Sequence, residues 1–344
     1  NWVEKTFHKY LMQCGSTNKK LYINGELLTN ANITTAVRIN SYAFYQCSSL
    51  TSVTIGESVT SIGEKAFYNC SNLTTLYYNA TNCSYEVPPA GENPSLFNNC
   101  NKLTSLIIGD NVINIPNYMF YRCSSLTNVS ISDSAESIGS YAFSGCDSLE
   151  NIYYNGDINS WVKIEGLSNI MQYGSTNKKL YINGELLTNA NITTAETINI
   201  YAFYYCSSLT SVIIGENVTS IGDCVFSGCS SLTSVTIPKS IISIGSYAFS
   251  GCPIENATIP TKAISYVRTE ALKVVIINDG TSIGDRAFRD CSSLTSVTIP
   301  NSVTSIGDSA FCWCSSLTSV SISDSVTSIG DCAFRICSNL ENIY

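Results

Sequence analysis

Apolar and polar residues alternate in short bursts that recur along the whole chain. In LTSVTI at 50–55, Val53 and Ile55 alternate with Ser52 and Thr54, the period-two pattern of a half-buried strand. The same register holds at Leu126/Val129/Ile131, Leu209/Val212/Ile214, Leu232/Val235/Ile237 and Leu317/Val320/Ile322. Most bursts lead to an Ile-Gly pair and then an Ala-Phe pair, spelled in full as CSSLTSVTIPNSVTSIGDSAF at 291–311. The cysteine after Ala-Phe gives the period. Cys47 and Cys70 are 23 residues apart, and so are Cys291, Cys314 and Cys337. A fixed period in the twenties predicts a repeat solenoid, mainly β, whose coils contact only their neighbours. One strand per coil, in register, pairs in parallel with the next about 4.8 Å away.

The rest of the coil follows from the same spelling. Ile62, Ile138, Ile221, Ile244, Ile283, Ile306 and Ile329 are expected to be buried. The glycine after each is expected at a corner whose backbone conformation other residues resist. A short helical or 3-10 turn is expected around Ala-Phe. Three residues before each Phe stand Ser41, Glu64, Pro94, Asn117, Ser140, Ile200, Asp223, Ser246, Asp285, Asp308 and Asp331. Most are N-cap formers, whose side chains accept the free amides of a first turn. A single coil buries too little to fold alone, so the last coil, broken off at Tyr344, is expected to fray.

The chain is expected to form one continuous solenoid over 1–344, built by tandem duplication. GSTNKKLYINGELLTNANITTA at 15–36 recurs letter for letter at 174–195, an offset of 159. Two segments, 1–30 and 155–189, differ from the coils and are taken as inserts between blocks. Each contains Asn-Gly between apolar runs, a two-residue hairpin signal. Trp2, Phe7, Leu11 and Met12 roughly fit one helical face. The spacing from Phe67 to Phe97 lengthens to 30, with Pro88, Pro89 and Pro94 in a bulging loop. From Phe249 to Phe288 it lengthens to 39, across a short cysteine-free coil in which Leu272, Val275 and Ile277 keep the strand pattern.

Composition narrows the function. Charged residues make up 13% and apolar residues 44% of the 344-residue chain. The net charge of −8 with no Lys/Arg cluster argues against nucleic acid and anionic lipid as partners. No apolar run is long enough to insert in a membrane as a helix. The start at Asn1 without Met and the stop in mid-repeat suggest a piece of a longer protein.

The pattern Leu-x-x-Val-x-Ile followed by Ile-Gly-Asp-x-Ala-Phe-x-x-Cys resembles the leucine-rich repeats of BspA-like surface proteins. The resemblance implies a right-handed arc with the parallel sheet on its concave side. It also implies extracellular or cell-surface display, and adhesion to host or cell-surface protein or glycan. This sequence departs from the pattern at Glu92 and before Phe288, where a kink or protruding loop is expected.

Several residue types invite chemistry. Eleven of the 16 cysteines form a column through Cys47, Cys70, Cys100, Cys123, Cys146, Cys206, Cys229, Cys252, Cys291, Cys314 and Cys337. A linear file is no tetrahedral metal site, and free Cys buries well, so buried thiols are expected. Cys14, Cys83, Cys224, Cys312 and Cys332 lie off the column and are the ones expected to be exposed. His8 is the only histidine and has no acid or nucleophile at a recognisable spacing, so no catalytic residue is assigned. The stacked Asp285, Asp308 and Asp331 suit calcium less well than capping, since Ser and Asn share their column. No metal or cofactor is expected.

The binding candidates are outward strand residues. Most are Ser or Thr, but Tyr77, Ile107, Tyr153, Ile213 and Ile276 are not. Exposed aromatic and apolar residues on a rigid sheet suit a partner interface, although they are also simply good strand formers. Two functions remain. One is a non-catalytic recognition module, and the other is a passive spacer that displays another domain.

Overall fold

A computed structural model describes residues 16–85 and 95–344. The helical face from Trp2 to Met12, His8, Cys14, and the loop positions Pro88, Pro89, Glu92 and Pro94 lie outside the described residues. The chain divides into two compact units, Asn1–Leu186 and Leu187–Tyr344. The boundary falls inside the duplicated LYINGELL segment.

Each unit is a parallel β-solenoid around its own eight-stranded sheet. In the first unit the strands run Asn30–Ile33, Ser52–Ile55, Thr75–Tyr78, Ser105–Ile108, Asn128–Ile131, Asn151–Tyr154 and Lys179–Ile182, all parallel. Glu185–Leu186 turns back antiparallel as the eighth. The second unit stacks eight parallel strands from Asn189–Ile192 to Asn342–Ile343. The alternation is the one the sequence predicts: Val53 and Ile55 are buried beneath partly exposed Ser52 and Thr54.

A second, narrower face carries two-residue strands such as Arg38–Ile39, Ser61–Ile62 and Ser84–Tyr85, again parallel. Of the seven isoleucines expected to be buried on this face, five are. Ile244 is only half-buried and Ile329 is 51% exposed. Both sit on the last strand of their small sheet. Ile138 is also on a last strand, yet its amide donates to Glu165 at 2.8 Å and the chain around Ile164 covers it.

The corner glycines have a different cause from the expected one. Gly63, Gly139 and Gly307 do not adopt a positive φ. Each lies so close to the preceding coil that a side chain would collide with it. At Gly139 a Cβ would come within 2.5 Å of the Asn117 amide and side chain.

The Ala-Phe turn is not helical. The residue two before the Phe is left-handed at every described turn except that of Phe97, as at Tyr42, Lys65, Tyr141 and Ser309, and so is the residue two after it. Such alternation cannot continue a right-handed helix. It aims amides along the solenoid instead. Tyr42, Phe44 and Gln46 donate forward to Glu64, Ala66 and Tyr68 at 3.1, 2.8 and 2.7 Å. On the two sheet faces the amides point backward, as from Gly63 to Ile39 at 2.7 Å. The phenylalanines stack from coil to coil beneath the turns, with Phe44 and Phe67 ring centres 5.3 Å apart and Phe203 and Phe226 5.2 Å apart. Phe67 and Phe97 stack at 5.3 Å as well, so the longer coil between them leaves the column in register.

Both hairpins form. Asn24 and Gly25 have φ of 52° and 84°, and Asn183 and Gly184 have 50° and 81°, as a type I′ turn requires. The segment after 155 also contains two short helices, Ile158–Trp161 and Ser168–Met171. Asp157 caps the first by accepting the Ser160 amide at 2.9 Å. The short coil before Phe288 keeps Leu272, Val275 and Ile277 buried. It advances only 18 residues from Asn256 to its partner Val274, and a register shift at Ile259/Pro260 marks the irregularity.

Candidate binding surface

The five candidates stand on the exposed row of the two long-stranded sheets. In the first unit the row runs Asn32, Thr54, Tyr77, Ile107, Ser130, Tyr153 and Tyr181 in strict register. Tyr77 is 42% exposed and sits beside the half-exposed Ile107. Tyr153 is half-exposed, and its ring stacks on Tyr181 at 4.5 Å and 18°. Burial holds the Tyr153 hydroxyl above its ordinary pKa, and the neighbouring Tyr181 adds to the effect. Lys179 pairs with Glu150 at 2.8 Å on the same strand pair. In the second unit Ile213 and Ile276 are 51% and 43% exposed. Thr236 and Thr258 separate them, so they do not form one patch.

Sequence reasoning missed Tyr181. The Asn-Gly signal marked its segment as a hairpin outside the coils, yet Lys179–Ile182 is a full rung of the sheet. Its alternation, with Leu180 buried and Tyr181 outward, was the available signal. A second aromatic row was also missed. Tyrosines at the two positions flanking Ala-Phe stack on the turn face, as Tyr45 on Tyr68 at 5.0 Å and Tyr118 on Tyr141 at 5.1 Å. Arg122 lies 5.3 Å from the Tyr121 ring centre.

The residues that invited chemistry are mostly structural. The cysteine column is buried and unbridged, apart from half-buried Cys337. Its thiols donate backward: Cys70, Cys252 and Cys314 reach the carbonyls of Phe44, Phe226 and Phe288 at 3.1, 3.0 and 3.1 Å. Burial pushes the Cys47 thiol up to about 12 and Cys291 up to about 11. Of the described off-column residues only Cys332 is exposed. Cys83 and Cys312 are buried, and Cys224 is half-buried. The burial of Cys312, which is 5% exposed, was not revealed by its spacing.

The acidic column does not cap its own turns. Asp285 accepts the amide of Asp308 at 2.8 Å, and Asp308 that of Asp331 at 2.7 Å. Asp223 and Asn117 do the same for Ser246 and Ser140 at 2.7 Å. Each side chain reaches one coil forward, because the backward-facing amide there finds no carbonyl.

Residues 16–86, 93–193, 196–274 and 265–344 match the BspA type leucine rich repeat region, a unit of six repeat copies. The chain belongs to the BspA-type leucine-rich repeat family. This is a family of surface proteins. No curated protein matches this BspA-type chain. Solved structures similar to it include a leucine-rich repeat protein from Bacteroides ovatus, 23% identical over 91% of this chain and 80% of that one, with a TM-score of 0.45. Another, from Eubacterium ventriosum, is 22% identical over 90% of each chain, with a TM-score of 0.40. A leucine rich cell surface protein from Faecalibacterium prausnitzii is 23% identical over 92% and 87%, with a TM-score of 0.32. Among the described residues of this BspA-type chain, no helix is long and apolar enough to cross a membrane.

Proposed function

We propose that this chain is a non-catalytic recognition module, displayed outside the cell, that binds a protein or glycan through the exposed row of its sheet. The observation that carries this reading is the aromatic and apolar run on the first unit, Tyr77 beside Ile107 and Tyr153 stacked on Tyr181. Rings fixed on a paired backbone lose little entropy when a partner covers them, so such positions anchor interfaces well. The polar Ser, Thr and Asn rungs around them supply a hydrogen-bonding rim. The low charge of the chain suits a partner recognised by shape and stacking rather than by attraction over distance.

The test is capture of purified extracellular-matrix proteins and mucins on the immobilised chain. The reading expects one component to bind saturably and to lose binding when Tyr77 and Tyr153 are both changed to Ala. Retention of none, with a further domain found on the same gene, would instead favour the passive spacer.

A further inference from the structure

The side-chain ladder on the second face lacks its acceptor before Asp223, where the Ile200 side chain fills the space over Gly222, and before Asp285, where the space is open and forms a cleft. In the intact coils the oxygen of an Asp or Asn accepts the next coil's amide and lies over the glycine that precedes it. A Cβ on Gly245 would come within 2.6 Å of Asp223 Oδ1, and one on Gly307 would collide with Asp285 Oδ1. On Gly284 a Cβ would meet nothing within 4 Å. The reason is the 18-residue coil before it, which replaces the acid-bearing turn by the 3-10 turn Thr261–Ala263 and the helix Ile264–Val267. Among the described residues no acceptor reaches the Asp285 amide.

The glycine itself is informative. The opening coils of the two duplicated blocks also lack a preceding acid, and there the chain places Asn40 and Asn199 at the glycine position. At 284 it keeps glycine, as it does at Gly63 and Gly222, but there Ser41 and Ile200 fill the space that is open at 284. The space beside it is a cleft of about 460 Å³ lined by Thr261, Ser265, Arg268, Gly284, Asp285 and Arg286. Arg268, Arg286, Thr261 and Ser265 therefore line a cleft beside a backbone amide whose equivalents at Ser140, Ser246, Asp308 and Asp331 bind a side-chain oxygen. Arg268 is held in place by donating to the Arg286 carbonyl at 2.8 Å. The Asp285 carboxylate is already engaged with the Asp308 amide. This leaves the local balance positive in a chain whose net charge is −8.

We propose that this cleft binds the carboxylate of an aspartate on an acidic peptide, which takes on the Asp285 amide the place that Asp223 takes on Ser246. The arginines favour the carboxylate over an amide, because hydrogen bonds between two charged groups are the stronger kind. The site is separate from the exposed sheet row, so either can fail without the other.

The test is a titration of the ¹⁵N-labelled, deuterated chain with the peptide Ac-Gly-Asp-Gly-NH₂ at constant ionic strength, following the Gly284 and Asp285 amide signals. Both signals should shift saturably. The Ac-Gly-Asn-Gly-NH₂ peptide and the Arg286→Gln variant should each weaken binding about tenfold. Gly284→Ala should abolish it with an unchanged melting temperature, because the added methyl meets no protein atom. Three results would overturn the proposal: no saturable shift, equal binding by Gly284→Ala, or saturation by inorganic phosphate but not by the Asp peptide.

Discussion

The thiol of Cys314 donates to the carbonyl oxygen of Phe288, one coil earlier and 3.1 Å away. That oxygen also accepts the amide of Cys291 at 3.1 Å. The column is therefore cysteine for two reasons: it fills a small apolar space, and it supplies a weak donor where the turn exposes a second lone pair. Cys314→Ala should lower stability by about 1–3 kcal/mol, through the lost donor and a small cavity. Cys314→Ser keeps a donor and should lose less. Urea unfolding of the intact chain measures both.

The same thiols make the fold sensitive to alkali. Burial raises the folded pKa of Cys47 to about 12 and of Cys291 to about 11, from an ordinary 9.0. Below pH 9 both states keep these protons, and the stabilisation is complete. Above pH 9 the unfolded chain releases protons that the folded chain retains, so stability falls by about 1.4 kcal/mol per pH unit for each such thiol. The loss continues up to the folded values. The urea midpoint should hold between pH 6 and 8 and drop steeply from 9 to 11. A flat profile across pH 9 would mean that these thiols are not buried.

The acidic ladder predicts a paired result. Asp308→Ala removes the acceptor of the Asp331 amide and should cost about 1 kcal/mol, as loss of a helix cap does. Asp308→Asn keeps the oxygen, as Asn117 does beneath Ser140, and should change stability by under about 0.5 kcal/mol. Calcium should not shift the melting temperature of either variant or of the parent.

What was legible in the sequence depended on whether the partner of a residue lay within the coil or beyond it. Val53 and Ile55 declare a strand by local alternation, and Asn183-Gly184 declares a turn by two residues. Asp308 does not declare its target. An acid that caps its own turn and one that reaches the next coil have the same spelling when every coil repeats. The corner glycines mislead for the same reason, since their need comes from the previous coil and not from their own φ. The exposure of Ile329 goes with its place on the last strand of its small sheet, and Tyr181 was hidden by a stronger turn signal in the same eight residues. The five exposed candidates were legible as outward positions, because strand alternation alone sets that.

The exposed isoleucines give a control for stability. Ile276→Thr copies the rungs at Thr258 and Thr298, and Ile213→Thr copies Thr236. Neither side chain is buried, so each change should alter stability by under about 0.5 kcal/mol. Thermal unfolding of the two variants checks this, and a larger loss would mark these positions as structural.

The central claim is that the aromatic run on the first sheet is the surface that touches a partner. The most direct measurement is the affinity of the chain and of its Tyr77→Ala/Tyr153→Ala variant for the captured matrix or mucin component, alongside both melting temperatures. The account predicts at least a tenfold weaker affinity, worth about 1.4 kcal/mol, with melting temperatures within a few degrees. Equal affinity in parent and variant would contradict it.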